Sequence, residues 1–77
     1  MDVRIGISQS GQVIELELDD DTDRAALKAQ VDEVLGGENA VLWLVDRKGK
    51  EVAIPARRVA FVELSSVDAE RRIGFGV

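Results

Sequence analysis

A chain of 77 residues that contains neither cysteine nor histidine can be held together by packing alone. Disulfide staples are excluded, as are thiolate or imidazole metal sites and any acid–base or nucleophile-activating pair built on histidine. A chain this short has room for one domain, which buries only about 60–65% of the surface its unfolded form exposes. The core must be thin, and the apolar residues that build it have to recur in register along each element.

They do so from the start. Asp2 to Ser8 sets Val3, Ile5 and Ile7 against Arg4, Gly6 and Ser8, the period-two pattern of a strand with one buried face. Ser8-Gln9-Ser10-Gly11 supplies small polar turn residues. Gln12 to Leu18 then alternates again, with Ile14, Leu16 and Leu18 opposed by Val13, Glu15 and Glu17. The two segments predict an antiparallel hairpin with a polar outer face.

Asp19-Asp20-Asp21-Thr22-Asp23 offers side-chain oxygens to the free N–H groups of a helix start, and its carboxylates suit the positive end of the dipole. A helix is predicted from near Thr22. Leu27, Val31, Val34 and Leu35 fall at helical spacing, while Arg24, Lys28, Asp32 and Glu33 point outward. Gly36-Gly37 ends it, because glycine adopts the left-handed conformation of a helix terminus without a Cβ clash.

Ala40 to Val45 is a nearly unbroken apolar strand, and Asp46-Arg47-Lys48-Gly49-Lys50 reads as a tight hairpin loop with Gly49 at the positive-φ position. Glu51 to Ile54 is the returning strand. Pro55 lacks a ladder donor and so ends that strand or lies on an edge. Val59 to Leu64 is a further β-rich segment, and residues 65–70 form a polar connection. Arg71 to Val77 alternates apolar residues with glycine, which suits either a closing strand or a tail. The expected fold is therefore α+β in the order ββαβββ. A helix of about 14 residues laid on one face of a mixed sheet is the simplest way to bury these stripes. The order resembles the β-grasp or ubiquitin-like architecture over residues 1–64, within a single domain of 1–77.

No motif for chemistry accompanies this frame. Gly49-Lys50 lacks the earlier glycine of a phosphate loop, where Leu44 stands, and the following Ser/Thr, where Glu51 stands. Asp19 to Asp23 lacks the spaced oxygen ligands, turn glycine and terminal glutamate of a calcium loop. Glu15 and Glu17 share an outward, solvated strand face, which does not make a general acid. Ser65-Ser66 has no base positioned by sequence. No cofactor or metal is implied, and neither a membrane span nor a signal-peptide layout is visible, so a cytoplasmic location is expected.

Charge and apolar content are both distributed unevenly. Fifteen acidic against ten basic residues give a net charge of −5, yet residues 1–38 hold ten acids and three bases whereas residues 39–77 hold five acids and seven bases. The acidic excess fits a solvated face. The C-terminal strands carry too many apolar residues for one buried face. Val41, Trp43 and Val45 oppose Leu42 and Leu44, and Val59 and Phe61 oppose Ala60, Val62 and Leu64. Either the strand is central to the sheet with a half-covered tryptophan, or the second face is covered by the tail, another copy of the chain or a partner. Ile73 to Val77, anchored by Phe75, is the segment expected to pack there, in its own subunit or a neighbour.

Val3-Arg4-Ile5-Gly6-Ile7, the run Asp46 to Ala56 followed by Val59-Ala60-Phe61-Val62-Glu63-Leu64, and the terminal Gly74-Phe75-Gly76 together resemble the family of short actinobacterial proteins called DUF3107, a domain of unknown function. The resemblance covers essentially the whole chain and implies an actinobacterial cytoplasmic protein. It carries over no catalytic residues. An ATP-binding label attached to some relatives finds no phosphate loop here.

The leading functional expectation is a non-enzymatic module that binds itself or another protein through its C-terminal half, chiefly Trp43, Phe75, Arg57, Arg58, Arg71 and Arg72. The alternative is a nucleic-acid-binding accessory protein using Arg47, Lys48, Arg57, Arg58, Arg71 and Arg72, with Trp43, Phe61 and Phe75 as stacking surfaces. The acidic total and the three aromatic residues weigh against it. A small-molecule sensor ranks third.

Overall fold

A computed structural model describes residues 1–65. Five strands and one helix follow in the order β1 (Asp2–Ile7), β2 (Val13–Glu17), α1 (Arg24–Leu35), β3 (Val41–Val45), β4 (Glu51–Pro55) and β5 (Val59–Ser65), with one 3-10 turn at Ala56–Arg58. The α+β class and the ββαβββ order agree with the sequence reading. The polar connection beyond Ser65 and the closing strand or tail lie outside the described residues.

Strand pairing departs from a single mixed sheet. Every ladder is antiparallel: β2-β1-β5 forms one sheet and β3-β4 a second. The helix runs between the outer edges of β3 and β5. Gln30 Nε2 donates to the Trp43 carbonyl at 2.8 Å, and Arg24 Nη2 donates to the Leu64 carbonyl at 3.3 Å. Backbone acceptors that could join the two sheets are thus taken by helix side chains. On the far side the Arg47 N–H donates to the Glu17 carbonyl at 2.9 Å, tying the β3–β4 loop to β2. The layout, strands wrapped round one helix, is compatible with a β-grasp-like arrangement.

A single cluster fills the interior: Val3 and Ile5 from β1, Leu18, then Leu27, Val31 and Val34 from α1, Leu42 and Leu44 from β3, and Ile54 from β4. Val3, Ile5 and Leu42 are fully buried, and burying each contributes about 1.5–3 kcal/mol. Leu35, expected on this stripe, is 52% exposed. At 100° per residue it lies beyond the arc of Leu27, Val31 and Val34, on the flank facing β5, where it borders a groove with Arg24, Lys28 and Val62. Gln30 and Ala26 occupy the opposite flank, facing β3.

Phe61 and Val59 do not share a face as simple alternation predicts. Gly6 pairs with Phe61 but Ile7 pairs with Val59, so Ala60 is an extra residue at a β-bulge. The bulge returns Val59 to the core, with Val62 and Leu64, and leaves Phe61 outside.

Capping follows the sequence closely. Asp23 Oδ1 accepts from the Ala26 N–H at 3.1 Å, which sets the helix start at Arg24, and the Gly36 N–H returns to the Asp32 carbonyl at 2.8 Å. Gly37 follows with φ of 82°. Asp23→Ala should lower stability by about 1 kcal/mol, read as a shift in the urea midpoint at unchanged slope. An unaltered midpoint would mean that the helix start is held by other groups.

Candidate interaction surface

The β3–β4 hairpin owes its register to its loop. Asp46 Oδ1 accepts from the Lys48 and Lys50 N–H groups at 2.9 and 2.8 Å, and Gly49 takes φ of 87°, which closes a tight turn. The ladder then runs Val45↔Glu51, Leu44↔Val52, Trp43↔Ala53, Leu42↔Ile54 and Val41↔Pro55. Gly49-Lys50 is thus the bend between two strands, and its backbone N–H groups do not open a helix as a phosphate cradle requires.

Because side chains alternate across a strand, the odd-numbered residues share the outer face. Leu42, Leu44 and Ile54 point into the core, while Val41 is 37%, Trp43 56% and Val45 53% exposed. Ala53 and Pro55 are exposed beside them. The second apolar face of β3 is real, and among the described residues nothing covers it.

The ladder also fixes where the strand edges point. The Ala56 N–H donates to the Ala40 carbonyl and the Asp46 N–H to the Lys50 carbonyl, so the even-numbered residues of β3 bond to β4 and the odd ones turn their backbone groups outward. Gln30 satisfies the Trp43 carbonyl on that edge. Pro55 falls on the outward-pointing rung of β4, where its missing N–H costs no ladder bond.

Charged residues frame the two ends of this face. At the loop end stand Lys48, Lys50 and Glu51, and Arg57 and Arg58 follow Pro55 at the other end. Arg57 and Arg58 lie on grooves to either side of Pro55. Arg47, grouped with these cations by sequence, instead pairs with Glu17 at 3.0 Å. Arg4 is held between Glu15 and Glu63 on the outside of the other sheet. The described basic residues are therefore divided, and Phe61 sits on a different sheet from Trp43. Arg71, Arg72 and Phe75 lie outside the described residues, as does the proposed packing of Ile73 to Val77.

The aspartates around the helix start have local roles. Asp19 Oδ1 accepts from the Asp21 N–H, Asp20 pairs with the Met1 amino group at 3.3 Å, and Asp23 caps α1. Among the described residues no three His, Cys, Asp or Glu side chains are grouped so as to hold a metal ion. No described helix is long and apolar enough to cross a membrane.

The family model DUF3107, described as a protein of unknown function, matches residues 1–76. The chain belongs to the DUF3107 family. No curated protein matches it. For a DUF3107 protein the hairpin face is thus to be read on its own geometry. Three contributors to that face, Ala53, Pro55 and Glu51, were not picked out from sequence. The loop signal at Gly49 would have placed Ala53 opposite Trp43 had the register been counted back from it.

Proposed function

We propose that this DUF3107 protein is a cytoplasmic, non-enzymatic interaction module whose working surface is the outer face of the β3–β4 hairpin. The observation that carries this reading is Trp43, a large side chain left 56% exposed at the centre of an apolar stripe with Val41 and Val45. Tryptophan is the residue type that most often anchors a protein interface, and an exposed stripe of this kind costs solubility unless something covers it. Aromatic anchors on rigid strands also lose little conformational freedom on binding. Nucleic-acid binding is less well supported, since single-strand binders interleave aromatics with cations along one groove. Here Arg47 and Arg4 are engaged by carboxylates, and Glu51 lies on the same face as Trp43.

A photo-cross-linking residue placed at Trp43 and, separately, at exposed Lys28 tests the reading in the native host. Protein adducts several-fold more abundant from position 43 than from position 28 are expected. Equal or absent adducts would remove the hairpin face as an interaction surface.

A further inference from the structure

We infer that Gln30 guards the outer edge of β3: its side-chain amide holds the central outward carbonyl of that edge and so keeps other chains from adding a strand there. β3 and β4 form a sheet of only two strands, so among the described residues each has one edge without a strand beside it. Such an edge presents a row of backbone N–H and C=O groups with which a strand of another molecule can pair.

The two edges differ in sequence. On β4 the outward rungs are Glu51, Ala53 and Pro55, and a charge and a residue without an N–H are what commonly interrupt edge pairing. On β3 the outward rungs are Val41, Trp43 and Val45, and the whole run Ala40 to Val45 holds no charge, proline or glycine. Short uncharged segments rich in β-branched and aromatic residues are those that pair most readily with copies of themselves. β3 therefore carries the more exposed risk and has no interruption of its own.

The interruption comes from α1. Trp43 is the middle residue of β3, and its carbonyl points away from β4. Gln30 Nε2 reaches that carbonyl at 2.8 Å, across a groove between helix and strand lined also by Ala26, Leu27 and Leu44. A strand added to β3 has to run through this groove, where its central N–H competes with Gln30 for the same oxygen. Ala26, one turn earlier on the same flank, is too short to bridge it. This role of Gln30 does not depend on what the outer face of the hairpin binds.

Aggregation of the full chain under native conditions, followed by thioflavin T fluorescence, tests the guard. Gln30→Ala should assemble about fivefold or more faster than the wild type. In that assembly the Trp43 N–H, which points outward from β4, should become protected from hydrogen exchange. Asp23→Ala, which weakens the same helix at its cap, controls for lost stability and should assemble more slowly than Gln30→Ala. Val45→Lys places a charge on the strand itself, and combined with Gln30→Ala it should bring the rate back to within about twofold of the wild type. A Gln30→Ala rate equal to that of the wild type, or no higher than that of Asp23→Ala, would overturn the guard. So would a Trp43 N–H left unprotected in the assembly, or a failure of Val45→Lys to slow it.

Discussion

Replacing Leu42 with alanine will destabilise the protein by about 2–5 kcal/mol, whereas the same change at Trp43, the next residue along, will cost under about 1 kcal/mol in dilute solution. Leu42 is fully buried among Ile5, Leu27, Val31 and Ile54, and removing three carbons there leaves a cavity that a closely packed interior fills only in part. A chain of this size has a total stability of about 4–12 kcal/mol at ordinary values per residue. Leu42→Ala will therefore remove a large share of it. Trp43 is the larger side chain, but it is more than half exposed, and its removal uncovers only the edge of the groove it shares with Ala26 and Gln30. Urea unfolding of the two variants side by side is the check. Equal losses would mean that the outer face of β3 is part of the core after all.

The second large effect is expected at Gly6. It lies on the central strand, paired with Val13 on one side and Phe61 on the other, and the Phe61 ring lies flat over it. A β-carbon added at Gly6 would fall within the contact distance of that ring, with the Phe61 Cζ at 2.7 Å. Gly6→Ala forces the ring off the sheet, at a cost of about 1–3 kcal/mol. Since glycine itself weakens a strand interior, the same substitution made in a Phe61→Ala background should be neutral or stabilising by up to about 1 kcal/mol. The change of sign between the two backgrounds is the diagnostic result, measured as a double-mutant cycle by thermal or urea unfolding. A destabilisation of the same size in both backgrounds would mean that some other contact requires the glycine.

Only local patterns were legible in the sequence. Alternation along residues 2–8 and 12–18 placed Val3, Ile5 and Leu18 inside, because a strand with one covered face has only one way to hide a period-two stripe. A cap within Asp19 to Asp23, the Gly36-Gly37 stop and the Gly49 turn were legible for the same kind of reason, since each is local chemistry between residues a few positions apart. The outward face of β3 followed directly, as five apolar residues in a row cannot all point to one side.

What escaped was non-local. The bulge at Ala60 depends on the register between β5 and β1, more than fifty residues apart in sequence, and no feature near Ala60 announces it. The division into two antiparallel sheets is a matter of which strands pair across distant parts of the chain, with β5 returning to β1 rather than to β3. The close approach of Phe61 to Gly6 is likewise a cross-strand contact. For the candidate surface, the same limit applied to charge: Arg47 lies next to Lys48 in sequence, yet its partner is Glu17 on another strand, and this splits a basic cluster that looked continuous.

Trp43 is the chain's one tryptophan, so its fluorescence reports on the hairpin face without interference. Acrylamide quenching of that emission in dilute protein tests most directly whether the face is open to a partner. An open face predicts strong quenching in dilute solution, because Trp43 is more than half exposed at its centre. Weak quenching in dilute solution would contradict it, because Trp43 would then be covered within its own chain and unavailable to a partner.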